Sequence, residues 1–170
     1  MRVMSEFSAR NATLGDADAI ARIYNEGIED GVATFETEPR SAADIAGWIQ
    51  DGFPLVVVEN AGDPVAWASA PPYRPRRAAY SGVADFSVYV ARAARGRGAG
   101  RAAVEALVKE CTRRGMWKLL SRIFPENEAS LKLCKAAGFR EVGVYRRHGK
   151  LRGEWKDTVI VELLIGEGRS

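Results

Sequence analysis

The chain has 170 residues, 46% of them hydrophobic, and a formal net charge of +3, so we expect one domain, residues 1–170, with its own hydrophobic core. The chain has two cysteines, too few for a disulfide framework, and one histidine, which argues against a multi-histidine metal site. It lacks an apolar stretch of about 18 residues, so we expect no membrane-spanning helix. The N-terminus also lacks the apolar core of a signal peptide, so we expect a cytoplasmic protein, and the clustered basic excess favours an anionic ligand over nucleic acid.

The first part of the chain is expected to hold one strand and two helices. "FSARNA" predicts a short strand, and "DADAIARIYNEGIEDG" predicts a helix that ends at Gly31, because its apolar residues recur at helical spacing. These apolar residues are Ile20, Ile23, Tyr24 and Ile28. "SAADIAGWI" predicts a second helix, whose first turn offers Ser41 and Asp44 as a capping box.

A hairpin and a further strand come next. "PLVVVE" and "PVAWASA" flank "NAGD", a pattern that is typical of a β-hairpin. "AYSGVADFSVYVA" predicts a third strand of the same sheet, because its second half alternates between two faces. The two faces carry Phe86, Val88 and Val90 on one side and Asp85, Ser87 and Tyr89 on the other.

The rest of the chain alternates between helix and strand. A helix is expected to about Arg114, then a strand in "WKLLSRIF" and a helix in "NEASLKLCKAAGF" that ends at Gly138. "REVGVYRRHG" and "WKDTVIVELLI" predict a final pair of strands. This order indicates the α/β class, with a mixed sheet and helices on both faces.

The turn over residues 95–101 combines glycines and arginines at the start of a helix. It reads Arg95, Gly96, Arg97, Gly98, Ala99, Gly100 and Arg101. The N–H groups of such a turn converge where the helix dipole favours anions, and glycine lets a phosphate approach the backbone. The spacing matches neither the Walker loop nor the dinucleotide fingerprint. The alternative is an ordinary exposed turn.

Arg95-x-x-Gly98-x-Gly100 resembles the R/Q-x-x-G-x-G/A loop of the GNAT N-acetyltransferases, and "NEASLKLCKAAGF" is similar to a later motif of that family. The resemblance implies the GNAT fold, a mostly antiparallel sheet that splays where acetyl-CoA enters. It implies acetyl-CoA as the co-substrate and no metal. The coenzyme would be held by residues 95–101 through the pyrophosphate and by Val88, Tyr89, Val90, Asn127 and Ser130 along the pantetheine arm.

"VATFETEPRS", the "VYV" after an acidic residue, and "GEWKD" look like segments of the phosphinothricin-type members. This implies a homodimer that acetylates the α-amine of a small acidic amino-acid analogue by direct transfer in a ternary complex. The head group would be phosphinic, sulfoximine or arsinic, and the reaction would confer resistance. Asp85 stands where that group has a glutamate, so we expect it to accept or guide the amine's proton, through a water since its side chain is shorter. The alternative is a structural aspartate that pairs with an arginine.

Further residues are assigned to the acceptor by the same resemblance. Arg77 and Tyr80 match residues of the family's substrate pocket, and Thr34 and Phe35 would close over the acceptor. Trp155, two positions before Asp157, would lie at the mouth of that pocket. A guanidinium suits a carboxylate or phosphinate because it donates two parallel bonds. The alternatives are a solvated loop for Arg77 with Arg74 and Arg76, and ordinary packing for Phe35 and Trp155.

Cys134 stands where many family members carry a tyrosine that protonates the departing thiolate. We expect a small apolar filler there, and a structural role for His148. Two other functions stay open: acetylation of a protein N-terminus or a polyamine, and binding of acyl-CoA by a regulatory module without turnover. A cationic acceptor would call for acidic residues where the chain has Arg74, Arg76 and Arg77.

Overall fold

The computed structural model describes residues 6–170, which form an α/β fold. The helices of this range are α1 (Ala17–Asp30), α2 (Ala42–Asp51), α3 (Ala99–Arg113) and α4 (Glu128–Ala136). Its strands are β1 (Phe7–Asn11), β2 (Leu55–Asn60), β3 (Asp63–Ser69), β4 (Val83–Asp85), β5 (Ser87–Val90), β6 (Lys118–Ile123), β7 (Arg140–Leu151) and β8 (Glu154–Leu164). None of the helices in this range is long and apolar enough to cross a membrane.

The strands form two sheets of four strands each. One has the order β1-β2-β3-β5 and is antiparallel throughout. The other has the order β4-β6-β8-β7, in which β4 and β6 are parallel and the remaining pairs are antiparallel. The predicted hairpin is confirmed as β2–β3, and the predicted final pair is confirmed as β7–β8.

The third strand predicted for the hairpin sheet is wrong in one respect, because "AYSGVADFSVYVA" forms two strands in different sheets. β4 pairs with β6 up to Asp85, and β5 pairs with β3 from Ser87. Between them, the N–H of Phe86 donates to the carbonyl of Leu120 at 2.7 Å, and its ring is buried against Phe139. The chain therefore crosses from one sheet to the other at a single buried residue, and this crossing is where the sheets splay.

Local signals placed the helix ends correctly. The capping box of α2 is present: the N–H of Asp44 donates to Ser41 Oγ at 3.2 Å, and the N–H of Ser41 donates to Asp44 Oδ2 at 2.7 Å. α1 ends at Gly31, which has a φ of 70° that suits glycine. Asn127 caps α4 by accepting from the N–H of Ser130 at 3.2 Å.

Two apolar clusters lie on opposite faces of the first sheet. Val57 and Trp67 face α1 and α2, where Ile20 and Ile45 are buried. Their neighbours in β2 and β3 face the other way and pack against α3, α4 and the second sheet. The alternation of side chains along β2 and β3 thus explains the confirmed prediction of helices on both faces.

Candidate active site

The glycine–arginine turn presents backbone N–H groups at the start of α3. Gly96 and Gly98 have φ values of 76° and 94°, which side chains rarely adopt, and Gly98 is the residue that caps the helix. The first amides of a helix lack carbonyl partners within it, so those of Ala99, Gly100 and Arg101 are oriented for an anion. Gly100 has a different reason to be glycine, since a Cβ there would lie 3.1 Å from Leu133 Cδ2.

The arginine side chains of this turn are occupied by carboxylates. Each of the three has such a partner: Arg95 with Asp30, Arg97 with Glu6, and Arg101 with Glu105. The Nη1 of Arg95 lies 2.6 Å from Asp30 Oδ2, and its Nε also donates to the carbonyl of Val90. The charges of these guanidinium groups are therefore already balanced by carboxylates, and the backbone amides are the donors of the turn without such a partner.

A cavity of about 500 Å³ opens against this turn, between β5 and the first turns of α3 and α4. Every residue assigned to the coenzyme by the sequence lines it, with the exception of Arg97. Tyr89 forms part of the wall and is fixed from behind, stacked on Trp67 with ring centroids 4.8 Å apart. Its burial raises the pKa of the phenol, so Tyr89 stays neutral.

A second cavity, of about 430 Å³, lies on the other side of the crossing between the sheets. It brings together three residues that the sequence assigned to catalysis or to the acceptor, namely Asp85, Thr34 and Phe35. The rest of its lining consists of Glu36, Phe86, Ser87, Ser121, Arg122, Phe124, His148 and Gly149. Phe35 packs edge-on against Phe124, with ring centroids 4.8 Å apart, and forms one wall.

Three residues assigned to the acceptor are not in this lining. Arg77 is exposed and precedes a short helical turn, and Tyr80 in that turn packs edge-on against Tyr73. Trp155 is 55% exposed on the β7–β8 hairpin, with the ammonium of Lys150 4.5 Å from its ring centroid. These three residues therefore do not share the lining of the second cavity with Asp85, and their role stays a prediction.

Asp85 is paired with an arginine that the sequence did not single out. Arg122 Nη2 donates to Asp85 Oδ1 at 2.9 Å. Burial raises the pKa of Asp85, and the positive charge and hydrogen bond of Arg122 oppose that rise. A carboxyl whose pKa is raised takes up a proton more readily, so Asp85 is suited to accept one.

Glu36, Arg122 and His148 are the titratable residues of this cavity that the sequence did not assign to the site. In β4 and β6, Asp85 is level with Leu120, which places Arg122 two residues further along the parallel neighbour. Polar residues at the carboxyl ends of adjacent parallel strands commonly meet, and this signal could have indicated Arg122. His148 lines the cavity, and a structural role for it stays a prediction.

A small cavity of about 40 Å³ shares lining residues with both of the larger ones. It shares Val88, Tyr89 and Asn127 with the first cavity and Ser87 and Ser121 with the second. Its wall also contains Cys134, where burial raises the pKa of the thiol to about 12. The small cavity, called the passage below, therefore borders both larger cavities.

Residues 6–170 contain no group of three or more histidine, cysteine, aspartate or glutamate side chains placed to hold a metal ion.

Comparison with known proteins agrees with this geometry. The model of the acetyltransferase (GNAT) family matches residues 20–139. A protein of Alcaligenes faecalis named phosphinothricin N-acetyltransferase is 35% identical, over 90% of this chain and 80% of its own. A phosphinothricin acetyltransferase from Sinorhizobium meliloti, solved with acetyl-CoA, is 33% identical with a TM-score of 0.87, covering 96% of this chain and 90% of its own. A ribosomal-protein-alanine N-acetyltransferase from Brucella melitensis is 32% identical, also with a TM-score of 0.87, covering 93% and 99%.

Proposed function

Because the chain belongs to the GNAT acetyltransferase family and is an N-acetyltransferase that uses acetyl-CoA, we propose that its acceptor is the α-amine of a small acidic amino-acid analogue. Phosphinothricin, methionine sulfoximine and arsinothricin are acceptors of this type, and their acetylation would serve detoxification. The observation that supports the proposal is the second cavity, in which Asp85 and Arg122 lie 2.9 Å apart and whose lining shares residues with the passage that borders the coenzyme cavity.

The chain's own groups fit the coenzyme. Gly96 and Gly98 leave open space where a Cβ would stand, so a pyrophosphate can approach the turn. β5 pairs with β3 on one edge, and in residues 6–170 no strand pairs with its other edge, which is free for the amide groups of a pantetheine arm. The oxygen of Asn127 caps α4, which leaves its NH₂ group to donate to the same arm. Bound acetyl-CoA supplies the activated acyl thioester.

Asp85 is proposed to remove the proton from the acceptor amine, directly or through a water. The amine nitrogen forms a bond to the acyl carbon, the carbon–sulfur bond breaks, and the surplus proton leaves the nitrogen. An ordinary aspartate is roughly 4 pKa units less basic than an α-amine, so proton transfer from the amine to it is unfavourable. The raised pKa of Asp85 makes this transfer less unfavourable. Cys134 is proposed as a filler of the passage, and solvent protonates the thiolate.

Thr34 and Phe35 are proposed to contact the acceptor because both line the second cavity. The part of Arg77, Tyr80 and Trp155 in acceptor binding stays a prediction, since they lie outside that lining. We also propose a homodimer in the cytoplasm. β7 is an edge strand, and Val142, Val144 and Tyr145 on it are 48–53% exposed, which is an apolar surface suited to a second copy.

A second candidate is the acetylation of a protein N-terminus, which the similarity to the Brucella melitensis enzyme favours. A coenzyme-release assay with phosphinothricin, spermidine and an alanine-terminated peptide separates the candidates. The proposed function predicts the highest kcat/KM for phosphinothricin. A preference for the peptide or for spermidine would contradict it, and release with none of them would favour a binding module without turnover.

A further inference from the structure

The guanidinium of Arg122 has been described so far only through its effect on Asp85. Arg122 is the residue before the last in β6, and within residues 6–170 Asp85 is the one carboxylate with which it pairs. A guanidinium carries five N–H donors in a planar fork, so a single bond to Asp85 leaves donors for a second anion. Arg74, Arg76 and Arg77, in the segment expected to provide this function, are absent from the lining.

We infer that Arg122 recognises the acidic group of the acceptor, and that an oxyanion of the acceptor takes the guanidinium in place of Asp85. The inference rests on the proposed function and names the residue that gives it specificity. The oxyanion is either the α-carboxylate or the acidic head group, both of which suit a guanidinium fork.

The charges of the cavity favour this exchange. Glu36, Asp85 and His148 are the other titratable side chains in the lining, so two carboxylates face one guanidinium. Glu36 is already paired with Arg40, with 3.0 Å between Arg40 Nη2 and Glu36 Oε2, so Asp85 is the carboxylate that competes with an acidic acceptor for Arg122. The side chains of Arg122 and Asp85 are 37% and 30% exposed, so their bond is hydrated and can be exchanged at little cost.

The exchange also places the amine. In an α-amino acid the amine and the carboxylate are attached to the same carbon, and the groups that would receive them, Asp85 and Arg122, are 2.9 Å apart. An acceptor anchored on Arg122 therefore brings its nitrogen to Asp85 and the passage. Once the guanidinium has moved to the acceptor, it no longer favours the charged form of Asp85, and the carboxylate becomes a stronger base.

The test uses steady-state kinetics of the full chain with Arg122→Met and Arg122→Lys. The acceptors are phosphinothricin, its α-carboxamide, and 2-aminobutyrate, which lacks the phosphinic head. Arg122→Met should raise the KM for phosphinothricin about 10- to 100-fold, as expected for losing a charged hydrogen-bond donor, and leave the KM for acetyl-CoA unchanged. The analogue that lacks the group bound by Arg122 should have a high KM already and should not respond to the substitution.

A pH profile gives an independent readout. The acid limb of kcat/KM should move to higher pH in Arg122→Met, because the free carboxylate of Asp85 has lost the charge that holds its pKa down. Arg140→Met is the matched control, since Arg140 is also a strand arginine paired with a carboxylate, Glu162, but lies outside both cavities. It should change neither the KM values nor the profile.

Three outcomes decide the matter. Equal loss of kcat for all three acceptors, with unchanged acceptor KM, would show that Arg122 only positions Asp85 and would overturn the inference alone. If Arg122→Met folds poorly, Arg122→Lys carries the test, and an unchanged preference for phosphinothricin over the analogues would overturn it. A wild type that acetylates only spermidine or the peptide overturns the proposed function and the inference with it.

Discussion

Replacing Gly98 by valine should weaken coenzyme binding by well over tenfold while leaving the protein folded. Gly98 has a φ of 94° at the start of α3, and nothing lies within 4 Å of the position that a Cβ would take. A valine there does not collide with the protein. It suffers backbone strain and places two methyl groups against the cavity that the turn lines.

The expected magnitudes follow from these two effects. The left-handed conformation costs a residue with a side chain about 1–2 kcal/mol, which corresponds to a fall in Tm of about 2–8 °C for a chain of this size. The affinity for the coenzyme should fall by well over tenfold. A phosphate kept from the amides loses charged hydrogen bonds of about 1.5–3 kcal/mol each.

Gly62→Val is the matched control. Gly62 has a φ of 88°, nothing lies within 4 Å of its Cβ position, and it belongs to the β2–β3 turn, away from the coenzyme cavity. Calorimetry should show a comparable loss of Tm in both variants, with weaker acetyl-CoA binding in Gly98→Val alone. Unchanged affinity in Gly98→Val would refute the placement of the pyrophosphate at this turn.

Three more predictions concern the catalytic carboxylate, the wall of the acceptor cavity and acid stability. Asp85→Asn should lower kcat about 10²–10⁴-fold at neutral pH with little change in either KM, whereas Asp85→Glu should retain substantial activity; near-normal turnover of Asp85→Asn would make the residue structural. Gly149→Ala would place a Cβ 2.8 Å from the ring of Phe35, so it should displace that ring and raise the acceptor KM several-fold, and an unchanged acceptor KM would contradict the placement of the cavity. Hydrogen bonds from Arg113 and Arg114 lower the pKa of Glu110 to about 2. The ionised Glu110 therefore stabilises the fold at pH values above the usual pKa of a glutamate, and this stabilisation is lost as the pH falls towards 2. Glu110→Gln should therefore cost about 1–2 kcal/mol at pH 7 and little at pH 2 in urea unfolding, and equal stability of both proteins at pH 7 would contradict this.

Features with a local physical cause could be predicted from the sequence. The capping box of α2 involves residues three apart, and the stop of α1 needs only a glycine that tolerates φ 70°. The coenzyme turn belongs to the same category, because glycines before a helix offer free N–H groups wherever the helix is placed. These signals fix the elements and much of the first cavity.

The division of the strands and the composition of the second cavity could not be predicted in this way. Side chains alternate identically on both sides of Phe86, so the sequence does not show that the partner changes there from β6 to β3. Asp85 and Arg122 are 37 positions apart and meet only because β4 and β6 are parallel neighbours with a particular register. The resemblance assigned acceptor binding to Arg77, because its distance in sequence from Asp85 matches the family, but Arg77 is not in the lining of the second cavity.

The pairing of the turn's arginines with Asp30, Glu6 and Glu105 has a consequence for selectivity among polyanions. The Debye length at physiological salt is about 8 Å. At distances beyond it, the charges of three guanidinium groups and three carboxylates nearly cancel. The turn therefore exerts little long-range attraction on RNA or free nucleotides, and binding depends on whether a phosphate fits its amides at contact. Raising the ionic strength should weaken acetyl-CoA binding only slightly, much less than the loss seen when several unpaired arginines release counterions.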